Sequence, residues 1–360
     1  MNTLAFSDRS MLNHLSTHYS NMNMLVDGEW RTDAYKSTDE SGAFDRSETA
    51  FRDWIAGAAV PEHVDAEPTD RFQPEAGRYH LYVSYACPWA HRALLVRALL
   101  GLEDAISVSV VDPWRGEDGW QFTPEKDGCT KDHLYGADYL RELYMKADSD
   151  VTGRVTVPVL WDTETETIVN NESREIIRQL STAFTEIGKN DVTLAPKSLR
   201  SEIDSVITEI YEPINNGVYR AGFATKQGPY DDAIDELFAA LDHWNELLGE
   251  QRFLVGDRLT EADICLFTTL VRFDQVYHTH FMCNKKHIHE YENMWPYLRE
   301  LYQLSGVAET VNMEHIKAHY YTTHPGVTPS GIIARGPDLD FTAPHDRADF
   351  GGELPAALAR

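Results

Sequence analysis

No apolar stretch in this chain approaches the ~20 residues that a membrane-spanning helix requires. Residues 1–23 are polar and hold no signal-peptide core, so a soluble, cytoplasmic protein is expected. Cysteine is scarce. Cys87, Cys129, Cys265 and Cys283 stand at irregular spacing, which fits neither a disulfide framework nor a paired zinc pattern. Basic residues are also few: 32 Lys and Arg face 58 Asp and Glu, for a formal net charge of −26. Such a surface repels nucleic acid and anionic membranes, and neither is expected as a partner. The acids are dispersed along the chain instead of gathered in a tail, as in proteins of concentrated salt, where self-repulsion is screened. A salt-loving source is therefore expected. No internal repeat or low-complexity tract is present, and 360 residues suffice for two ordinary domains plus extensions.

The organisation changes twice along the chain. Residues 1–73 carry scattered aromatics such as Trp30, Phe44 and Trp54 without a sustained period, and read as an N-terminal extension that wraps a core. Residues 74–190 alternate: a strand at 79–86, a helix at 88–100 stopped by Gly101, a strand at 106–111, and a polar insertion with Trp114, Trp120 and Cys129. A helix at 131–147, strands at 155–161 and 167–169 and a helix at 172–180 complete the order β-α-β-α-β-β-α of a thioredoxin-like domain. Pro158 is out of place inside a strand unless it lies at an edge or follows a cis bond, which would turn the Val157 backbone toward the helix that begins at 88. Residues 197–323 are all-helical, with helices at 198–211, 230–248, 261–277, 296–304 and 307–320. Thr260 and Asp263 form a capping box, which makes Asp263 structural. A Gly- and Pro-rich tail, 324–360, packs as loop.

The chemistry concentrates at Cys87-Pro88-Trp89-Ala90, which places a thiol at a helix N-terminus. Unpaired N–H groups and the positive end of the helix dipole favour the thiolate there. Pro88 suits the first turn, where a missing N–H costs nothing. Ala90 stands where a dithiol oxidoreductase carries its second cysteine, so the partner sulfur must come from a small-molecule thiol. The dipole alone is worth about 0.3–1 kcal/mol, too little to bring a thiol from ~8.5 to neutrality. His91 and Arg92, in the same turn, are the nearest candidates for further support.

Several motifs together resemble one family. Cys-Pro-Trp-Ala-His-Arg at 87–92, Gly-Arg-Val-Thr-Val-Pro-Val-Leu-Trp-Asp at 153–162, Val-Asn-Asn-Glu-Ser at 169–173 and Asn-Asn-Gly-Val-Tyr-Arg-Ala-Gly-Phe-Ala at 215–224 look like the xi class of glutathione transferases, the glutathionyl-hydroquinone reductases. Leu-Val-Arg-Phe-Asp at 270–274 continues the likeness, which runs from about residue 30 to 336. The resemblance implies a thioredoxin-like domain followed by an all-helical glutathione-transferase domain and a homodimer; with the dispersed acidity, the expected source is a halophilic archaeon. The resemblance also implies that Cys87 attacks the sulfur of a glutathionyl hydroquinone and forms a mixed disulfide. Trp120, Arg154, Val157, Glu172 and Ser173 would hold the thiol peptide, and Tyr219, Tyr277 and Tyr320 would face the quinol. The chemistry of each fits its role: a carboxylate and a helix N-terminus for the peptide's ammonium and α-carboxylate, a backbone edge at Val157, and hydroxyls for a leaving quinol. In such an archaeon the thiol would be γ-glutamylcysteine in place of glutathione, and Arg154 would then lose the glycyl carboxylate.

Three other readings remain open on the residues alone. One is a glutaredoxin-like thiol transferase or dehydroascorbate reductase; another is a non-catalytic binding module on the same fold. The histidine-rich loop with His278, His280, Cys283, His287 and His289 offers metal-binding side chains, but it lacks a fixed four-ligand frame, and no metal is assigned to it.

Overall fold

Two short strands, β1 (Asn21–Val26) and β2 (Glu29–Lys36), form an antiparallel ribbon that opens the computed structural model, which describes residues 21–45, 49–352 and 354–359. The expectations for residues 1–20 and 46–48 lie outside the described residues. The ribbon turns through Asp27 and Gly28, both at positive φ, as tight hairpins require. Gly28 has a further reason to be glycine, since a Cβ there would stand 2.0 Å from the Ser149 carbonyl oxygen. That close approach docks the ribbon: Leu25 and Gly153 exchange both backbone hydrogen bonds at 2.9 Å. Farther along, Asp53 N–H donates to the Val169 carbonyl at 2.9 Å and Ile55 N–H to Gln179 Oε1 at 2.9 Å. The described residues before 74 thus lie against the following layer.

That layer is a four-stranded sheet in the order β4-β3-β5-β6. β3 (Tyr79–Val83) is buried along its whole length, as a central strand covered on both faces must be. It leads into α1 (Pro88–Leu99) and pairs in parallel with β4 (Ile106–Val110). After α2 (Leu140–Ala147), β5 (Val159–Asp162) pairs antiparallel with β3 and with β6 (Thr167–Asn170), and α3 (Ser173–Ala183) packs beside α1. Two expectations need correction. Residues 131–139 are not helical, because the Asp132 carboxylate takes the N–H groups of Leu134, Tyr135 and Ala137 at 3.0–3.1 Å and the Tyr82 hydroxyl at 2.9 Å. Such local bonds compete with a helix. The strand expected from residue 155 begins only at Val159, since Pro158 has no N–H for the ladder; the Val157-Pro158 bond is cis.

The remainder is helical: α4 (Arg200–Ile210), α5 (Gly217–Gly222), α6 (Gln227–Leu247), α7 (Glu261–Arg272), α8 (Met294–Gln303) and α9 (Met313–Thr323). The apolar face of α6, with Ile234, Leu237, Phe238, Leu241 and Trp244, is buried. The Thr260 capping box is present. Asp263 also accepts from Leu254 N–H at 2.9 Å and the Tyr297 hydroxyl at 2.8 Å, and burial pushes its pKa up to about 6. Both long helices that were expected to run on, at 198–211 and 261–277, end in one π-helical turn, at Tyr211–Asn215 and Phe273–Tyr277. Pro213 accounts for the first by removing a donor. The helix expected at 307–320 is split, because the Asn312 side chain caps α9 by accepting from His315 N–H at 3.0 Å. Beyond Thr323 the tail packs down through Arg347, 1% exposed, whose Nη2 donates to the Gln251 and Arg252 carbonyls at 2.6 and 2.7 Å.

Arg178 of α3 ties the two layers together. Its Nε donates to Glu261 Oε2 of α7 at 2.8 Å and its Nη2 to Asp204 Oδ1 of α4 at 2.9 Å, with Arg178 and Glu261 at most 2% exposed. Replacing one partner of a buried pair leaves the other charge uncompensated, at a cost of about 3–5 kcal/mol. Urea unfolding of Arg178→Met in concentrated KCl is expected to show a loss of that size; a change below about 1 kcal/mol would mean that the pair does not hold the layers together.

Candidate functional site

The β3-to-α1 junction sets the position of Cys87. Its backbone is extended (φ −78°, ψ 121°) at the N-cap, and Pro88 occupies the first turn, as its fixed φ allows. The thiol makes no capping bond to its own helix; Sγ points across to the Val157 carbonyl at 3.6 Å. The structure therefore brings Cys87 and Val157 together. The other three cysteines lie elsewhere, and burial pushes the thiols of Cys129, Cys265 and Cys283 up, away from the reactive thiolate.

Neither His91 nor Arg92 supports the thiolate in the way expected. His91 is fully buried, and burial, then the Arg272 charge, hold its pKa well below the usual histidine range, so the ring is neutral. Arg92 turns the other way, donating to Ser173 Oγ at 3.3 Å and Asn215 Oδ1 at 2.9 Å with its guanidinium 4.5 Å from the Trp89 ring centre. The cation beside the thiol turn comes from the helical layer. Arg272, at the end of α7 and 0% exposed, donates Nη2 to the Tyr85 carbonyl at 2.9 Å and Nε to the Ala86 carbonyl at 3.0 Å. Its Nη1 reaches the Thr268 carbonyl at 2.8 Å and His91 Nδ1 at 2.9 Å. With Nδ1 accepting from Arg272, His91 donates its Nε2–H to Thr310 Oγ1 at 2.8 Å, whose own proton goes to the Val307 carbonyl. The acceptors are three carbonyls and an imidazole nitrogen, all neutral, and two of those carbonyls immediately precede Cys87. The sequence marked Arg272 only as a member of the Leu-Val-Arg-Phe-Asp stretch, without a role; apart from Thr268, its partners lie more than 180 residues away.

On the other side of Cys87, Glu172 is the N-cap of α3. Its carboxylate accepts from Arg174 N–H at 3.3 Å and from the Ser173 hydroxyl at 3.4 Å. Ser173 thus links Glu172 to Arg92. Trp120, 6% exposed, stacks on His319 of α9 with ring centres 5.3 Å apart, and the Arg115 guanidinium lies 6.0 Å from the Trp120 ring centre. Burial, then the like charge of Arg154, pull the Arg115 pKa down to about 10. Arg115 is a second residue that sequence reasoning passed over; a cation five residues before a tryptophan that follows a glycine carries no pattern of its own.

The three tyrosines converge. The hydroxyl of Tyr320 lies 2.5 Å from that of Tyr219 and 3.0 Å from that of Tyr277. Tyr277 and Tyr320 are at most 1% exposed, and burial raises their pKa values well above the usual range, so both are neutral donors. Tyr219 stacks on Trp89, two residues after Cys87, at 6.2 Å, and Phe44 of the N-terminal extension stacks on Tyr219 at 6.4 Å. His280, His319 and His324 ring Tyr320 at 5.3–6.0 Å. Burial holds all three neutral, His280 and His319 at about 4.

Two models of one family match: Glutathione S-transferase, N-terminal domain, over residues 86–183, and its C-terminal domain over residues 227–300. The glutathionyl-hydroquinone reductase YqjG of Escherichia coli is 49% identical over 91% of this chain and 98% of its own length. PcpF of Sphingobium chlorophenolicum, a protein of the same name, is 48% identical over 88% of this chain and 96% of its own. Among solved structures, a xi class GST from Natrialba magadii is 65% identical with a TM-score of 0.84 over 94% of this chain and all of that one. The glutathione-bound structure of YqjG has a TM-score of 0.81 over 90% of this chain and 98% of that one.

The buried neutral imidazoles imply an acid-sensitive fold. His80, at about 4, joins His91, His280, His319 and His324. Because their pKa values are depressed in the folded state, the unfolded chain binds more protons below its own value of about 6.5. Stability is full above that pH and falls as pH drops from about 6.5 toward 4, by up to ~1.4 kcal/mol per pH unit for each ring. Urea midpoints that stay flat from pH 6.5 to 5 would contradict this assignment of neutral rings.

Proposed function

Because the chain belongs to the glutathione transferases, in their xi class, we propose that it is a thiol-dependent reductase that cleaves glutathionyl-hydroquinone adducts through a mixed disulfide on Cys87. The observation that carries this reading is the placement of Cys87 alone at a helix N-cap, with Ala90 in the second-thiol position and Trp89 joining it to three tyrosine hydroxyls.

In the first half-reaction the Cys87 thiolate attacks the adduct sulfur. An S–S bond forms and the bond from sulfur to the aromatic carbon breaks. The electron pair goes to the ring carbon, which takes up one proton, and the free hydroquinone leaves. Charge that spreads onto a quinol oxygen meets the hydroxyls of Tyr219, Tyr277 and Tyr320, which can donate to it. A second thiol then attacks the mixed disulfide, restores the Cys87 thiolate and departs as the disulfide of the two small thiols. Glutathione is the thiol co-substrate. Val157 offers its backbone to the peptide, Glu172 and Ser173 its γ-glutamyl end, and Trp120 a flat wall. Arg154, with Arg115 beside it, takes the terminal carboxylate, and here the choice between glutathione and γ-glutamylcysteine is made. A homodimer in the cytoplasm is part of the same reading. Among the described residues no helix is long and apolar enough to cross a membrane.

Single-turnover cleavage of a glutathionyl–menadiol adduct in concentrated KCl tests the proposal. Wild type is expected to release menadiol and gain the mass of one glutathione on Cys87, while Cys87→Ala releases none. Arg154→Gln is expected to weaken the glutathionyl adduct about tenfold or more and to spare the γ-glutamylcysteinyl adduct. Equal release by Cys87→Ala would remove the nucleophile and favour the binding-module reading.

A further inference from the structure

The histidine-rich loop has no fixed ligand frame as a sequence, but the fold supplies one from another element. Asp274, in the π-helical turn Phe273–Tyr277 and 97% buried, lies under residues 287–289. Its Oδ2 stands 2.8 Å from His289 Nδ1 and its Oδ1 3.6 Å from His287 Nδ1; the three ligand atoms all fall within 4.8 Å of one another. His280 and Cys283 are drawn elsewhere, His280 to Thr328 and His324, Cys283 against the Val218 carbonyl.

We propose that Asp274, His287 and His289 form a binding site for one borderline divalent metal ion of the zinc type, apart from Cys87. The donor set is two imidazoles and a carboxylate, which suits zinc, cobalt or nickel and disfavours calcium and magnesium. Ligand atoms around a tetrahedral zinc stand about 3.3 Å apart, within the range spanned here, so small side-chain rotations suffice and solvent completes the shell. His287 Nδ1 is buried without a hydrogen bond, the state of a nitrogen waiting for a Lewis acid. The surroundings already hold the donors in place. Asp274 accepts the backbone N–H groups of Ile288 at 2.6 Å and His289 at 3.1 Å, and the His287 N–H donates to Glu290 at 2.7 Å. His278 stacks face to face on His287, ring centres 3.6 Å apart, and fixes the plane of that ring. To bind the metal, each ring presents Nδ1 without its proton, as any imidazole ligand does. His289 is about one-third exposed, which leaves a way in for the ion.

The metal would clip the 287–289 turn to the turn that carries Tyr277, and so brace one wall of the tyrosine cluster from behind. The chain's net charge of −26 draws cations to its whole surface, so the test must separate this site from general attraction. Zn²⁺ is titrated calorimetrically into the full chain and into a His287→Gln, His289→Gln double variant, both in concentrated KCl with excess Mg²⁺. Co²⁺ is followed in parallel by absorption. Glutamine can still donate to Asp274, so the variant is expected to keep its fold and its Cys87-dependent menadiol release. Wild type is expected to bind one equivalent, to give Co²⁺ visible bands without a thiolate charge-transfer band, and to unfold at higher temperature with Zn²⁺. The double variant is expected to bind more than about tenfold more weakly and to gain no thermal stability. Equal binding by the variant, no saturable binding by wild type, or a Co²⁺–thiolate band would each overturn the proposal.

Discussion

The buried guanidinium of Arg272 is the interaction on which the site depends. Taking an arginine out of water is costly unless every donor is used, and here the fork is used on the two carbonyls before Cys87, on the last full turn of its own helix and on His91. The consequence is structural and electrostatic together. The strand-to-helix turn of one domain is held by a helix of the other, so the thiol is presented only when the two layers are docked. The acceptors bring no negative charge, so the guanidinium adds an uncompensated cation to the helix dipole, which alone falls short of what a neutral-pH thiolate needs.

The same contrast of charge runs through the molecule. Acids outnumber bases by nearly two to one over the whole chain, yet arginine lines the site: Arg272 behind the turn that carries Cys87, Arg92 on Ser173, and Arg115 beside Trp120 with the Arg154 charge acting on it. In the proposed reading, an anionic thiol peptide is repelled by the surface at large and meets its cations at these guanidiniums. Among these cations stand groups kept neutral by burial: three imidazoles and the hydroxyls of Tyr277 and Tyr320.

Much of this was legible in the sequence wherever the signal was local. Cys87 before Pro88, the proline just before β5 and the Thr260–Asp263 box each announce themselves within four residues, and the motif set identified the family and its two domains. What stayed hidden depends on distant partners. Residues 131–139 carry helix-compatible spacing, and only the side chain of Asp132, bound to Tyr82 from β3, shows why they coil. Periodicity passes straight through the π-helical turns because one extra residue hardly disturbs an apolar face. Burial reversed the expectation for His91, and Arg272 and Arg115 acquire meaning only once chain segments far apart are folded together.

The most direct measurement is the pH dependence of Cys87 alkylation by iodoacetamide, followed by mass in wild type and in Arg272→Gln. The glutamine keeps donors for the Tyr85 and Ala86 carbonyls but removes the charge. The wild-type midpoint should lie well below the ~8.5 of an ordinary thiol and rise by at least about one unit in the variant. A folded variant with an unchanged midpoint would contradict the central claim that this cation, reaching across from the helical layer, prepares the thiolate.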